Sequence, residues 1–401
     1  MRFVLFLLCL LVCPVLGEPN FELSYLLVRT SDGKIIEQRE ADQPRIPAST
    51  LKTVTAALSL EALGPDHVFQ TTVRAEAPLY RRHLRGDLSL KGSADPELTH
   101  RDLESLADQL VERGVKVVEG DLVVDAGPYA FPPYGPGWAW DDAGLSYSPE
   151  ITGLNVDGGV VTLDTNHPPL WAMRREGSES ATFLIPGQEG VQVWGELPES
   201  VSPPRVVLRT GERFKAILSE RGIRIEGEVR AGVARGAELA AHQSRPLTEI
   251  LKKALAESDN LAMELLYRAS GKALPECLRE ERLRVVDGSG LSRYNLLSCR
   301  HLVLLLRSSD LRSVLPSAGV GTLSERFREG WAARQVRAKT GSMSNVSAIA
   351  GYLFAGTDKE CVFAIMINGH LGSYSERKAL EDQLVERWAR EIGWPYSLSD
   401  S

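Results

Sequence analysis

The sequence predicts an α/β (α+β) fold: an antiparallel sheet with a helical region, split by a strand-rich inserted domain. Three observations carry that expectation. A hairpin and a helix open the chain. Helices, three strand-like runs and a last helix close it. Between residues 66 and 244, short strand-like runs alternate with Gly and Pro turns. The domain boundaries that follow are 18–65 and 245–401 for a split domain, with 66–244 inserted.

Taken in order, Met1-Arg2 precedes an apolar run from Phe3 to Leu16, and Val15-Leu16-Gly17 supplies small residues for a cut after Gly17. Residues 1–17 therefore read as a secretory signal peptide. The run is shorter than the ~20 residues a membrane span needs. Neither Leu8 nor Val12, ahead of Cys9 and Cys13, is the small residue that lipidation requires. No later segment is long and apolar enough to span, so the mature protein is expected to be periplasmic or otherwise exported, with no integral membrane segment.

Leu23–Val28 and Ile35-Ile36 flank the turn Ser31-Asp32-Gly33-Lys34 as a hairpin. Pro44 and Pro47 lead to a helix starting near Ser49, with Leu51, Val54, Thr55 and Leu58 on one face. Gly64-Pro65 ends it. In the middle third, one helix is expected, Arg101 to Arg113. Leu247–Ala256, Leu261–Ala269 and Arg300–Arg307 read as helices. Strands are expected near 335–342, 345–354 and 361–368, then a helix over 375–391. Cys361 belongs to a buried apolar run, and Cys277 and Cys299 remain open as a pair in an oxidising compartment.

Composition narrows function only by exclusion. The 401 residues are 43% hydrophobic and 25% charged, values of an ordinary globular protein. Against 46 Lys+Arg stand 53 Asp+Glu, a formal charge of −7, which lacks the basic footprint of a nucleic-acid binder. The His and Cys spacings match no metal site, and no Gly-rich stretch matches a phosphate loop.

Three short motifs carry chemistry. In Ser49-Thr50-Leu51-Lys52, i and i+3 share a helix face. A Ser at the helix N-terminus sits where backbone N–H groups favour negative charge. Lys52 takes the Ser49 proton if burial or nearby cations lower its pKa. Ser31…Lys34 and Ser375…Lys378 match the same spacing, but on a turn and as a cap on a polar helix start. Ser258-Asp259-Asn260 lies between two helices, where a hydroxyl relays a proton and an amide holds a substrate amide; its bland reading is a helix cap. Lys339-Thr340-Gly341-Ser342 ends a strand. It offers a cation and a hydroxyl for a carboxylate, a Gly for close approach, and the Ser342 N–H for an oxyanion.

In that order and context, the three motifs resemble the signature of penicillin-binding proteins and serine β-lactamases. The fold implied is a penicillin-recognising serine transpeptidase/β-lactamase-like domain. Asp287-Gly288-Ser289-Gly290-Leu291-Ser292-Arg293-Tyr294-Asn295, Ala350-Gly351-Tyr352-Leu353, Lys91–Pro96 and Trp138–Asp142 narrow the resemblance. They are similar to the D-alanyl-D-alanine carboxypeptidase/endopeptidase family, the class C low-molecular-mass penicillin-binding proteins (peptidase family S13). The 209 residues between Ser49 and Ser258 agree with that family's insertions, although the gap looks shorter than in larger members. Glu150…Asn155 only superficially resembles the deacylating loop of class A β-lactamases, which is expected after Ser-Asp-Asn.

The resemblance implies a serine peptidase acting on peptidoglycan stem peptides and acylated by β-lactams. Ser49 is its nucleophile and Lys52 its general base. Ser258 and Lys339 pass the proton to the leaving amine, and Asn260 holds the substrate amide. Lys339, Thr340 and Ser342 receive the terminal carboxylate beside Gly341, and Asp142 meets the amine of the stem diamino acid. No cofactor or metal is implied. A β-lactamase-like hydrolase and a peptidoglycan-binding protein with little catalysis are the alternatives.

Overall fold

The computed structural model describes residues 21–129, 132–163, 172–175, 183–186, 191–194, 199–279 and 281–393. The expected export segment 1–17 lies outside them. The longer helices are α1 (Lys52–Leu63), α2 (His100–Glu112), α3 (Val206–Glu220), α4 (Leu247–Glu257), α5 (Asn260–Ala269), α6 (Cys299–Ser308) and α7 (Tyr374–Gly393). No helix among the described residues is long and apolar enough to cross a membrane.

One five-stranded antiparallel sheet joins the two ends of the chain. Its order is Val336–Met343, Val346–Leu353, Cys361–Asn368, Glu22–Arg29, Ile35–Arg39. Strand side chains alternate between faces. Leu26, Val28, Ala350 and Met366 therefore face one layer, built from α1, α4, α5 and α6. Leu27, Ile349, Phe363 and Ile365 face the other, against Val385 and Trp388 of α7. A sheet covered on both faces needs apolar residues at every position, and the Cys361–Asn368 run is buried throughout.

The middle of the chain builds a second five-stranded sheet, in the order Val229–Ala231, Leu122–Asp125, Leu88–Lys91, Gln70–Ala75, Ala237–Gln243. The first two pairings are parallel and the last two antiparallel. Helices α2 and α3 pack on it around Val73, Leu88, Leu103, Leu110, Phe214 and Leu218. Thr99 and Asp102 form the capping box that starts α2.

One expectation is corrected here, and one alternative left open is decided. The sequence reading expected a single helix in this region, but α3 is a second. Its Val206-Val207 and Gly211 are poor helix formers. Tertiary contact overrides them, because a Cβ on Gly211 would lie 2.4 Å from Val229 Cγ1, so glycine lets the helix lie on the strands. Glu150 caps α3 by accepting from the backbone N–H groups of Arg205 and Val206. The candidate pair Cys277 and Cys299 is not bonded: both are free thiols, as is the buried Cys361. Cys299 is enclosed in the helical layer, where burial pushes its thiol pKa up.

Candidate active site

The three motifs meet where α1, α5 and the strand Val336–Met343 converge. Ser49 lies in the 3-10 turn Ala48–Leu51, which runs straight into α1. The preceding Ala48 has φ 47°, a left-handed conformation that costs a non-Gly residue about 1 kcal/mol or more. Two glycines let neighbouring backbones reach this turn. A Cβ on Gly341 would sit 2.9 Å from both the Pro47 carbonyl and the Ser49 nitrogen. A Cβ on Gly290, at φ +82°, would meet the Ala48 carbonyl at 2.1 Å.

Lys52 follows on the same face, and its Nζ is 2.9 Å from Ser49 Oγ. Nζ also donates to Asn260 Oδ1 and to the Ser289 carbonyl, each at 2.6 Å. Those two partners can only accept. A neutral amine spends its two N–H groups on them and keeps its lone pair for the Ser49 hydroxyl. Lys52 is fully buried, and loss of solvation lowers its pKa to about 8, against the pull of Asp287, Asp259 and Glu264. Burial thus does what the sequence reading offered to either burial or neighbouring cations.

Ser258 ends α4 in a left-handed conformation, φ 60°, and lines the cleft beside Ser49. Asp259 caps α5 by accepting from the Ala262 N–H at 2.9 Å. The bland reading of Ser-Asp-Asn and the chemical one therefore coexist: Asp259 is the cap, while Asn260 faces Lys52. Asn260 Nδ2 donates to the Tyr147 carbonyl at 2.8 Å, which fixes the amide's orientation.

Lys339 is fully buried and donates to the Thr340 carbonyl at 2.8 Å. Burial first, then Lys52 and Lys378, hold its pKa well below the usual lysine value. Lys378 was read as part of a polar helix start, with Ser375 as the cap. Instead Ser373 accepts from the Glu376 N–H and caps that turn, and Lys378 is buried with Nζ 3.2 Å from the Gly341 carbonyl. Gly341 is buried and Ser342 exposed at the cleft.

The cleft is about 840 Å³ and gathers Ser49, Ser258, Asn260 and Ser342 with a wall from the middle of the chain, Gly137–Asp142 and Tyr147. Asp142 is in that wall and accepts from the Tyr147 hydroxyl at 2.6 Å. Burial, helped by Asp142, pushes the Tyr147 pKa up. Arg293 lies in the same cleft and donates to the Ser344 carbonyl at 3.0 Å. The structure thus brings together Ser49, Lys52, Ser258, Asn260 and Lys339–Ser342, with Asp142 on the opposite wall. Sequence reasoning missed Lys378, Tyr147 and Arg293. Lys378 was visible only as a repeat of the Ser-x-x-Lys spacing and Arg293 only within the run Asp287–Asn295, with no role attached, while no motif pointed to Tyr147.

The chain resembles known proteins over most of its length. The profile of the D-Ala-D-Ala carboxypeptidase 3 (S13) family matches residues 18–173 and 181–391. A D-alanyl-D-alanine carboxypeptidase of Actinomadura sp. (strain R39) is 31% identical, over 94% of this chain and 84% of that protein. The solved penicillin binding protein 4 of Haemophilus influenzae has the same fold, with a TM-score of 0.81 at 24% identity over 93% of this chain and 97% of that one. A predatory peptidoglycan endopeptidase from Bdellovibrio bacteriovorus superposes at TM-score 0.58 and 16% identity, covering 95% and 96% of the two chains.

Proposed function

The chain belongs to the D-Ala-D-Ala carboxypeptidase 3 (S13) family, and from that premise we propose that it cleaves peptidoglycan stem peptides through an acyl-enzyme at Ser49. The observation that carries this is the Lys52 amine, held 2.9 Å from Ser49 Oγ by two partners that only accept. Ser49 Oγ attacks the carbonyl of the penultimate D-alanine as its proton passes to Lys52. The backbone N–H groups of Ser49 and Ser342 face the resulting oxyanion. The C–N bond breaks, and the leaving amine takes a proton through Ser258 and Lys339. Asn260 holds the substrate amide. Thr340 and Ser342 receive the terminal carboxylate, with Lys339 supplying positive charge. Water then hydrolyses the ester and regenerates Ser49.

D-alanine as leaving group makes this a carboxypeptidase. The side-chain amine of a cross-linked stem makes it an endopeptidase, a reading supported by the likeness to the Bdellovibrio enzyme. In both cases Asp142 meets the amine of the stem diamino acid. β-Lactams acylate the same Ser49. Residues 18–65 and 245–401 act as one catalytic unit, with 66–244 inserted to build the far wall. Residues 1–17 direct export.

Two assays test this. Labelled penicillin should mark the wild-type chain and not Ser49→Ala; equal labelling of both overturns the mechanism. Muropeptide digestion should release D-alanine from a pentapeptide and split cross-linked dimers. β-Lactam turnover without either product identifies a β-lactamase instead.

A further inference from the structure

We propose that Asp287 is a positioning residue for acylation: one buried carboxylate sets the Ser289 carbonyl against Lys52 and anchors the Trp138 wall of the cleft. The inference rests on the acyl-transfer reading above. Asp287 lies outside the three motifs and is fully buried.

Six donors converge on its two oxygens. Oδ1 accepts from the Gly290 N–H at 3.1 Å and from Asn295 Nδ2 at 2.7 Å. Oδ2 accepts from the Ser289 hydroxyl at 2.8 Å, the Leu291 N–H at 3.0 Å, the Ser292 N–H at 3.1 Å and Trp138 Nε1 at 2.8 Å. Every partner donates, the arrangement that suits a carboxylate anion. Four of the six belong to residues 289–292, so the anion dictates the path of that loop. The path ends with the Ser289 carbonyl 2.6 Å from Lys52 Nζ. On the other side, Thr55 Oγ1 donates to the Gly288 carbonyl, and the Gly288 N–H donates to Glu264 Oε2 at 2.6 Å.

The charge acts together with the geometry. Lys52 is faced by Asp287 from this loop, by Asp259 at the cap of α5 and Glu264 within it, and by Lys339 from the strand. Of the three carboxylates, Asp287 opposes the effect of burial most. It keeps Lys52 from becoming too weak a base while fixing where its lone pair points. Trp138 Nε1 draws on the same anion, so the cleft wall and the amine share one anchor.

The test is the pH profile of acylation by labelled penicillin, on the full chain, with thermal melts to check folding. Wild type that is not labelled at Ser49 refutes the acyl-transfer reading, not this inference. In Asp287→Asn the rate should fall and the rising limb should move to lower pH by about one unit, because Lys52 loses its main counter-charge. A fall at every pH with the limb unmoved means a merely structural role and overturns the proposal. Trp138→Phe keeps the carboxylate and removes one donor. The less compensated charge then holds the Lys52 proton more tightly, and the limb should move to higher pH. An unmoved limb there overturns the shared anchor, and it decides the question if Asp287→Asn does not fold.

Discussion

The sheet that carries Lys339 and the sheet built by residues 70–243 are both five strands wide, and both are packed by helices. Their interiors treat charge differently. Around the first, Lys52, Lys339, Asp287, Glu264 and Glu381 are each no more than 1% exposed. Within 70–243, among the described residues, Asp95 is the one charged side chain buried, at 2%, and it lies beside His242. Buried charge costs stability unless partners satisfy it. Here most of it gathers in the half of the molecule that carries Lys52, and the second sheet keeps a largely apolar core. The difference teaches that desolvated charge gathers in the half that carries the three motifs, while the other half has an apolar core and lends a wall to the cleft.

The largest test of that contrast is Lys52 itself. Lys52→Ala should slow acylation by about 10³-fold. In wild type, the amine must lose its proton to act. The acylation rate should therefore drop about tenfold per pH unit below about 8 and level off above it. The stability linkage has the matching sign. A lysine whose folded pKa lies below its unfolded one destabilises the fold at low pH, and that penalty is relieved as pH rises from about 8 toward the ordinary lysine value. A flat rate profile across pH 6–9 would break the comparison.

A smaller effect is expected from close packing alone. Gly341→Ala places a methyl 2.9 Å from the Ser49 nitrogen. It should cut acylation by roughly ten- to a hundredfold through displacement of the turn, with little change in melting temperature. Rates by stopped flow and a thermal melt read the two separately.

The smallest effect on chemistry should come from the second sheet. Phe214 is fully buried in its core. Phe214→Ala should cost about 3–5 kcal/mol of stability, yet leave acylation unchanged at temperatures where the chain is folded. Loss of acylation by a folded Phe214→Ala protein would show that the two regions are not separable in this way.

Much of the secondary structure was legible because its signals are local. The hairpin turn at Asp32-Gly33, the Gly64-Pro65 stop after the first helix and the apolar runs of the C-terminal strands each lie within about ten residues of what they specify. Helix α3 was not legible. Its Gly211 is favourable only because Val124 and Val229 lie beneath it. Lys378 was also misjudged, since helical spacing shows which face a lysine is on but not that the Gly341 carbonyl waits there.

The sequence by itself determined the order of the three motifs and the local element beneath each. Ser49 and Lys52 share a face because they are three residues apart, and Asn260 opens a helix because Asp259 caps it. Tertiary structure decided the chemistry. It joined Lys52 to Asn260 across 208 residues and to Ser289 across 237, and it removed water from the amine. Spacing along the chain sets direction within one element. Desolvation and hydrogen bonding between elements depend on every neighbour at once, so the basicity of Lys52 exists only in the folded molecule.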